Sequence, residues 1–176
     1  MAAAALRFAL DRHAGQLRDA DHAPFVLHPL EVGSLLSVFD YSDPVIAAGV
    51  LHDVLEGTAT DSTELESRFG RQVARLVEAV SEDASIEDDS ERKAALRRQV
   101  ARAAREAAAI FAADKVSKTR EIRLRLSTGS YADGAATKLP HYRSSLEMLE
   151  RKLGADDPIV QQLRFELEAL EALPPG

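Results

Sequence analysis

Apolar residues return every three to four positions along most of this 176-residue chain, and almost nowhere every second position. That spacing lines one face of a helix, whereas a half-buried strand needs strict alternation. The strong helix formers Ala, Leu, Glu and Arg dominate, and Val, Ile, Thr and Tyr do not gather into alternating runs. An all-α fold is expected, a bundle of about eight helices. Pro at a first helical position marks several starts, because its missing N–H has no intrahelical partner there. The pattern predicts helices over 2–18, from His28-Pro29 to Val38, and from Asp43-Pro44 to Leu55. Asp61 or Ser62 then caps a short helix, and Phe69-Gly70 hands over to another over 71–82. One long helix over 92–126 and two more over 138–153 and 158–173 complete the reading.

Charge and composition exclude several classes. Lys and Arg number 22 against 29 Asp and Glu, a formal net charge of −7. Such a chain lacks the global positive field that draws proteins to nucleic acid or anionic lipid. With no Cys there is no disulfide, no Cys-based zinc site and no thiol nucleophile. No apolar run approaches the ~20 residues of a membrane span. Met1 to Leu10 is apolar but carries Arg7, so it reads as a helix and not a leader, and a cytoplasmic location is expected. We read residues 1–176 as one domain, with an acidic, mobile loop at 82–91 and a short tail at 174–176. A helical surface can dimerise without a distinct sequence mark, so a homodimer stays open.

The chemistry gathers at His52-Asp53. Val45, Ala48, Gly49, His52 and Glu56 share one helical face, flanked by Ala47, Val50, Leu51, Val54 and Leu55. A carboxylate in such apolar surroundings costs several kcal/mol unless it is paired or binds a metal. Asp114 repeats the anomaly, following Ile110 by four and Phe111 by three on an apolar stripe. His28 opens a helix directly before Pro29, where its ring is held at a junction. Each residue alone has a plainer reading: a hydrogen-bonded core histidine, a partner for Lys115, Lys118 or Arg120, a helix-start cap. His13, His22 and His141 read as non-ligands, and Arg97, Arg98, Arg102 and Arg105 as a solvated face paired with nearby acids. Leu146, Leu149 and Leu153 with Leu163, Leu167 and Leu170 read as the seam of an antiparallel pair, the other reading being a partner stripe.

In order and spacing, His28, His52-Asp53 and Asp114 resemble the signature of HD-domain metal-dependent phosphohydrolases. His13 through Arg18, Pro24 through Val32, Ala48 through Thr58, Phe69 through Val73 and Ala113 through Arg120 are similar to one branch of it. That branch is the hydrolase domain of RelA/SpoT proteins, above all the small alarmone hydrolases of the metazoan SpoT homologue type. The resemblance implies that His28, His52, Asp53 and Asp114 hold one divalent ion, typically Mn²⁺. It implies that Glu56 acts on the attacking water and that the substrate is a small phosphorylated nucleotide, losing pyrophosphate from its 3′ position. Arg18, Lys115, Lys118 and Arg120 are then the expected phosphate-side cations, and Tyr142 a residue beside the nucleotide or a ring packed on the domain edge.

Three positions depart from that branch. Gly57 stands where it carries a second acid, Lys118 replaces an Asn that helps hold guanosine, and the loop after Arg18 lacks a second basic residue. Two other readings stay open. HD nucleotidases that release 5′-phosphate also place Glu three after the Asp, and a further Asp where Asp61 stands, although Asp61 also suits a helix N-cap. A catalytically weak nucleotide-binding protein would keep the ligands and lose turnover.

Overall fold

The computed structural model describes residues 1–18, 21–127 and 135–173. The expected loop at 129–134 and the tail at 174–176 lie outside them. The fold is all-α. Its elements are α1 (Ala2–Arg12), α2 (Leu27–Val38), α3 (Asp43–Val50), α4 (Val54–Gly57) and α5 (Ser62–Phe69), then α6 (Arg71–Val80), α7 (Asp89–Arg102), α8 (Arg105–Ser127), α9 (Ala135–Leu153) and α10 (Pro158–Glu171). Among the described residues there is no strand, only an isolated bridge between Leu17 and Pro24. No helix among them is long and apolar enough to cross a membrane.

Helix α8 is the axis of the bundle and packs against α2, α3, α6, α7, α9 and α10. Its stretch Ala107–Ala113 is buried on every side, as a helix apolar all round must be. The alanines let neighbouring backbones come close. The crossing of α2 on α3 is tighter still. A β-carbon at Gly33 would run into Val50, and one at Gly49 into Leu36. Glycine here sets the distance between the helix that carries His28 and the one that leads to His52.

Helix starts follow the sequence closely. Asp61 caps α5 by accepting from Glu64 N (2.8 Å), and α10 opens on Pro158 with Asp157 as its cap. Helix ends do not. Helix α1 stops at Arg12 rather than Arg18, because the chain turns at Gly15 with φ +78°. The helix expected over 44–55 breaks after Val50 and restarts at Val54. The helix expected over 92–126 begins earlier, at Asp89, and breaks at Ala103. Those two breaks account for ten helical segments among the described residues where about eight were expected.

The break at Ala103 is made by distant side chains. Lys152 Nζ donates to Ala101 O (3.1 Å) and Ala103 O (2.7 Å), while Arg105 donates to Lys152 O and Leu153 O. Each of the two helix ends thus has its unpaired carbonyls satisfied by a cation from the other side. The acidic loop is also more tied down than its composition implies. Arg92 bonds Glu82 Oε2 (2.7 Å), Ile86 O (2.9 Å) and Asp89 Oδ1 (2.8 Å).

Candidate metal centre and cleft

Four side chains meet where α2, the α3–α4 turn and α8 converge. His28 Nε2 lies 3.2 Å from His52 Nε2 and 3.1 Å from Asp114 Oδ1. Asp53 Oδ2 lies 3.1 Å from His52 Nε2 and 3.5 Å from His28 Nε2. His28, His52 and Asp114 are all buried and bring donor atoms within 4.8 Å of one another. The α3–α4 break makes this convergence. Successive residues of an unbroken helix point about 100° apart, whereas the turn at 51–53 lets His52 and Asp53 address one point.

The tautomers follow from the partners. His52 Nδ1 faces Gly49 O at 2.8 Å, and a carbonyl only accepts, so Nδ1 carries the proton. The Ser117 hydroxyl donates to Glu31 Oε2 (2.7 Å) and therefore accepts from His28 Nδ1 (2.9 Å). Both Nε2 atoms are consequently the nitrogens turned toward the same point, where a bound cation would take their lone pairs. Asp53 Oδ2 and Asp114 Oδ1 are buried there and accept no hydrogen bond. Four electron-rich atoms facing one another repel unless a cation lies among them. Ligands about 2.1 Å from a shared ion stand roughly 3.0–3.4 Å apart, the range of most of these separations. The donor set fits a divalent ion.

The electrostatics carry the same demand. Burial disfavours charge on His52, but Asp53 and Asp114 outweigh it and push its pKa up to about 10, so that without an ion a proton on Nε2 takes the cation's place. Burial, aided by Lys118, pulls His28 down. Asp53 and Asp114 are held well below the usual carboxylate range, against the cost of their own burial, by His52 and the lysines. Lys115 Nζ bonds Asp114 Oδ2 (2.7 Å) and lies over the Phe111 ring, and burial lowers its pKa. Lys118 Nζ is 2.8 Å from Asp114 Oδ1 as an ion pair, off the hydrogen-bond direction, and the two aspartates raise its pKa despite burial.

Beside His28 opens a cleft of about 280 Å³ lined by Arg18, Phe25, Lys118, Arg125 and Tyr142. Of the expected cations, Arg18 and Lys118 reach it, and Tyr142 forms part of its wall. Lys115 stays inside, on Asp114. Arg120 points elsewhere, to Glu31 (3.2 Å) and the buried Glu166 (2.6 Å). Positions 118, 122 and 125 face the cleft at helical spacing, and 120 falls on another face of α8. That spacing was present in the sequence and would have picked out Arg125. Phe25 carried no such mark.

Glu56 stands one residue short of a turn beyond Asp53, on α4. Its Oε1 accepts from Glu82 N (2.7 Å), and loss of solvent around the carboxyl, with the nearby charges of Asp53 and Glu82, raises its pKa. Beside it, Gln16 Nε2 donates to Gly57 O (2.7 Å) and Gln16 Oε1 accepts from His13 Nδ1 (2.7 Å). A β-carbon at Gly57 would lie 3.5 Å from His13 Cε1, an ordinary contact. Asp61, the acid a nucleotidase pattern would use, is occupied in capping α5.

Comparison with known proteins agrees with this geometry. The chain is 30% identical over 161 residues to a Xenopus tropicalis protein named guanosine-3′,5′-bis(diphosphate) 3′-pyrophosphohydrolase MESH1, covering 85% of this chain and 88% of that one. It is 39% identical over 87 residues to an Aquifex aeolicus guanosine-3′,5′-bis(diphosphate) 3′-pyrophosphohydrolase, of which the match spans 12%. A solved structure described as a metazoan ortholog of SpoT that hydrolyzes ppGpp superposes with a TM-score of 0.84 at 25% identity, over 98% of this chain and 96% of that one. The HD domain family matches residues 5–123. All four converging side chains fall inside that stretch, and the chain belongs to the HD-domain family.

Proposed function

We propose that this chain is a metal-dependent phosphohydrolase of nucleotide 3′-pyrophosphates, guanosine 3′,5′-bis(diphosphate) first among them, with Mn²⁺ as its ion. We read 1–176 as one domain serving this one site, acting in the cytoplasm. The observation that carries the reading is the convergence of four buried donor atoms, the Nε2 atoms of His28 and His52, Asp53 Oδ2 and Asp114 Oδ1, beside a cationic cleft.

His28, His52, Asp53 and Asp114 would hold the ion. When bound, a divalent ion supplies Lewis acidity to a phosphoryl oxygen and lowers the pKa of water. Glu56, its Oε1 fixed by Glu82 N–H, offers Oε2 to take the proton from the attacking water. Water adds to the phosphorus bonded to O3′, the P–O3′ bond breaks, and pyrophosphate and a 3′-hydroxyl nucleotide leave. Lys118 and Arg18 offset phosphate charge, and Phe25 and Tyr142 give the cleft its aromatic wall.

The test is pyrophosphate release from guanosine 3′,5′-bis(diphosphate) with Mn²⁺, resolved from orthophosphate, with Asp53→Ala as control. Pyrophosphate from the intact chain alone is expected. Orthophosphate from 5′-monophosphates, or full activity in Asp53→Ala, would overturn the reading.

A further inference from the structure

A second cavity, of about 310 Å³, lies between the N-terminal halves of α7 and of α9. Arg97, which the sequence assigns to a solvated, acid-paired face, lies in its wall and pairs with no carboxylate among the described residues. Its Nη1 donates to His141 Nδ1 instead. His141 is a fit acceptor, since burial together with Lys115, Arg97 and Lys93 pushes its pKa down to about 3 and keeps it neutral. The other N–H groups of Arg97 have no protein partner among the described residues. Lys138 also lines the cavity, with no carboxylate partner among the described residues. The one acid in the wall, Asp89, is already engaged by Arg92 and Lys93.

Arg97 is partly buried and Lys138 exposed, so the recess presents two cations whose charge no free acid in its wall offsets. Guanidinium and ammonium N–H groups together are the donors that phosphate oxygens take. Lys138 lines the cleft beside the metal centre as well as this cavity, so the two spaces share a wall. We infer that Arg97, Lys138 and the cavity between α7 and α9 form a second phosphate-binding site, distinct from the metal centre. The phosphate is either a remote group of the molecule in the cleft or a separate anion. Only the first source rests on the nucleotide reading above.

Calorimetric titration of the full chain with inorganic pyrophosphate, without added metal, tests the site apart from turnover. Arg97→Gln is expected to weaken one bound equivalent at least tenfold, and Ser144→Glu, which sets an acid on the exposed rim, to do the same. Arg18→Gln, on the cleft side only, should leave that equivalent unchanged. Pyrophosphate binding by Arg97→Gln and Ser144→Glu as tight as by the parent chain overturns the proposal, as does a parent chain that binds none. Turnover then separates the sources. A higher KM in Arg97→Gln for the 5′-diphosphate substrate, but not for its 5′-hydroxyl analogue, assigns the phosphate to the substrate. An unchanged KM for both, with pyrophosphate binding lost, assigns it to a separate anion. Absence of turnover from every nucleotide would sink the hydrolase reading and leave the binding result standing.

Discussion

The Nε2 atoms of His28 and His52 stand 3.2 Å apart and face one point, because Ser117 and Gly49 take the protons on the far sides of the two rings. Two aspartate oxygens complete the ring of acceptors. Binding a divalent ion should therefore stabilise the fold. At Mn²⁺ about a hundredfold over Kd the gain is about 2.7 kcal/mol, or roughly 5–10 °C in Tm for a chain of this size. A thermal melt with Mn²⁺ and then with chelator checks this, and Asp53→Ala should lose the shift.

Ser117 touches no proposed ligand atom, yet it orients one. Ser117→Ala removes the acceptor of His28 Nδ1–H and frees the ring to turn. Losing such an outer partner typically costs about 10–100-fold in metal affinity. Mn²⁺ titration of this variant, with a melt to confirm folding, reads that loss directly.

Glu56→Gln should lower kcat by about 10²–10⁴-fold while leaving Mn²⁺ affinity near that of the parent. The sign of the pH dependence follows from the raised Glu56 pKa. The base works only when deprotonated, so activity falls as pH drops through that pKa. The acid limb of kcat/KM should lie above the ordinary Glu value of about 4.3, and Glu56→Gln should abolish that limb.

At Gly57 a side chain has room to begin, its β-carbon in ordinary contact with His13. Gly57→Asp should raise 3′-pyrophosphatase kcat if the absent second acid is what limits the reaction. A variant that folds, binds Mn²⁺ and gains nothing would mean that the site is built for another phosphate ester.

Arg120 was expected among the phosphate contacts, and its bonds to Glu31 and Glu166 give it a different duty. Glu166 is 2% exposed. Arg120→Ala should cost about 1–3 kcal/mol of stability, with Arg123 and Gln162 still holding Glu166. Urea unfolding should move while the nucleotide KM does not.

The contrast between Arg120 and Lys118 shows what the sequence could and could not convey. Lys118 and Arg120 are two residues apart, and both read as cations near Asp114. Only the direction of the helix separates them, and it becomes definite once α10 supplies Glu166. The convergence of these side chains was legible because His52, Asp53 and Asp114 are polar groups set in apolar stripes, an anomaly that local pattern exposes. Helix starts were legible for a similar reason, since Pro29, Pro44, Asp61 and Pro158 act within one turn. The break at Ala103 was not, because its causes, Arg105 and Lys152, lie 47 positions apart in the chain and meet only in the folded state. The turn at 51–53 lacks a Gly or Pro, and the reading of one helix to Leu55 missed the bend that brings His52 and Asp53 together.

That break at Ala103 divides the molecule's inheritance. Helix α8, anchored through the core, carries Asp114 and Lys118. Helix α7 carries Arg97, and the segment before it holds Glu56 through Glu82 N–H. The caps between them are cations bound to main-chain carbonyls and read no side chain of α7. Exchanging outward side chains of α7 thus leaves those caps in place and Asp114 in register.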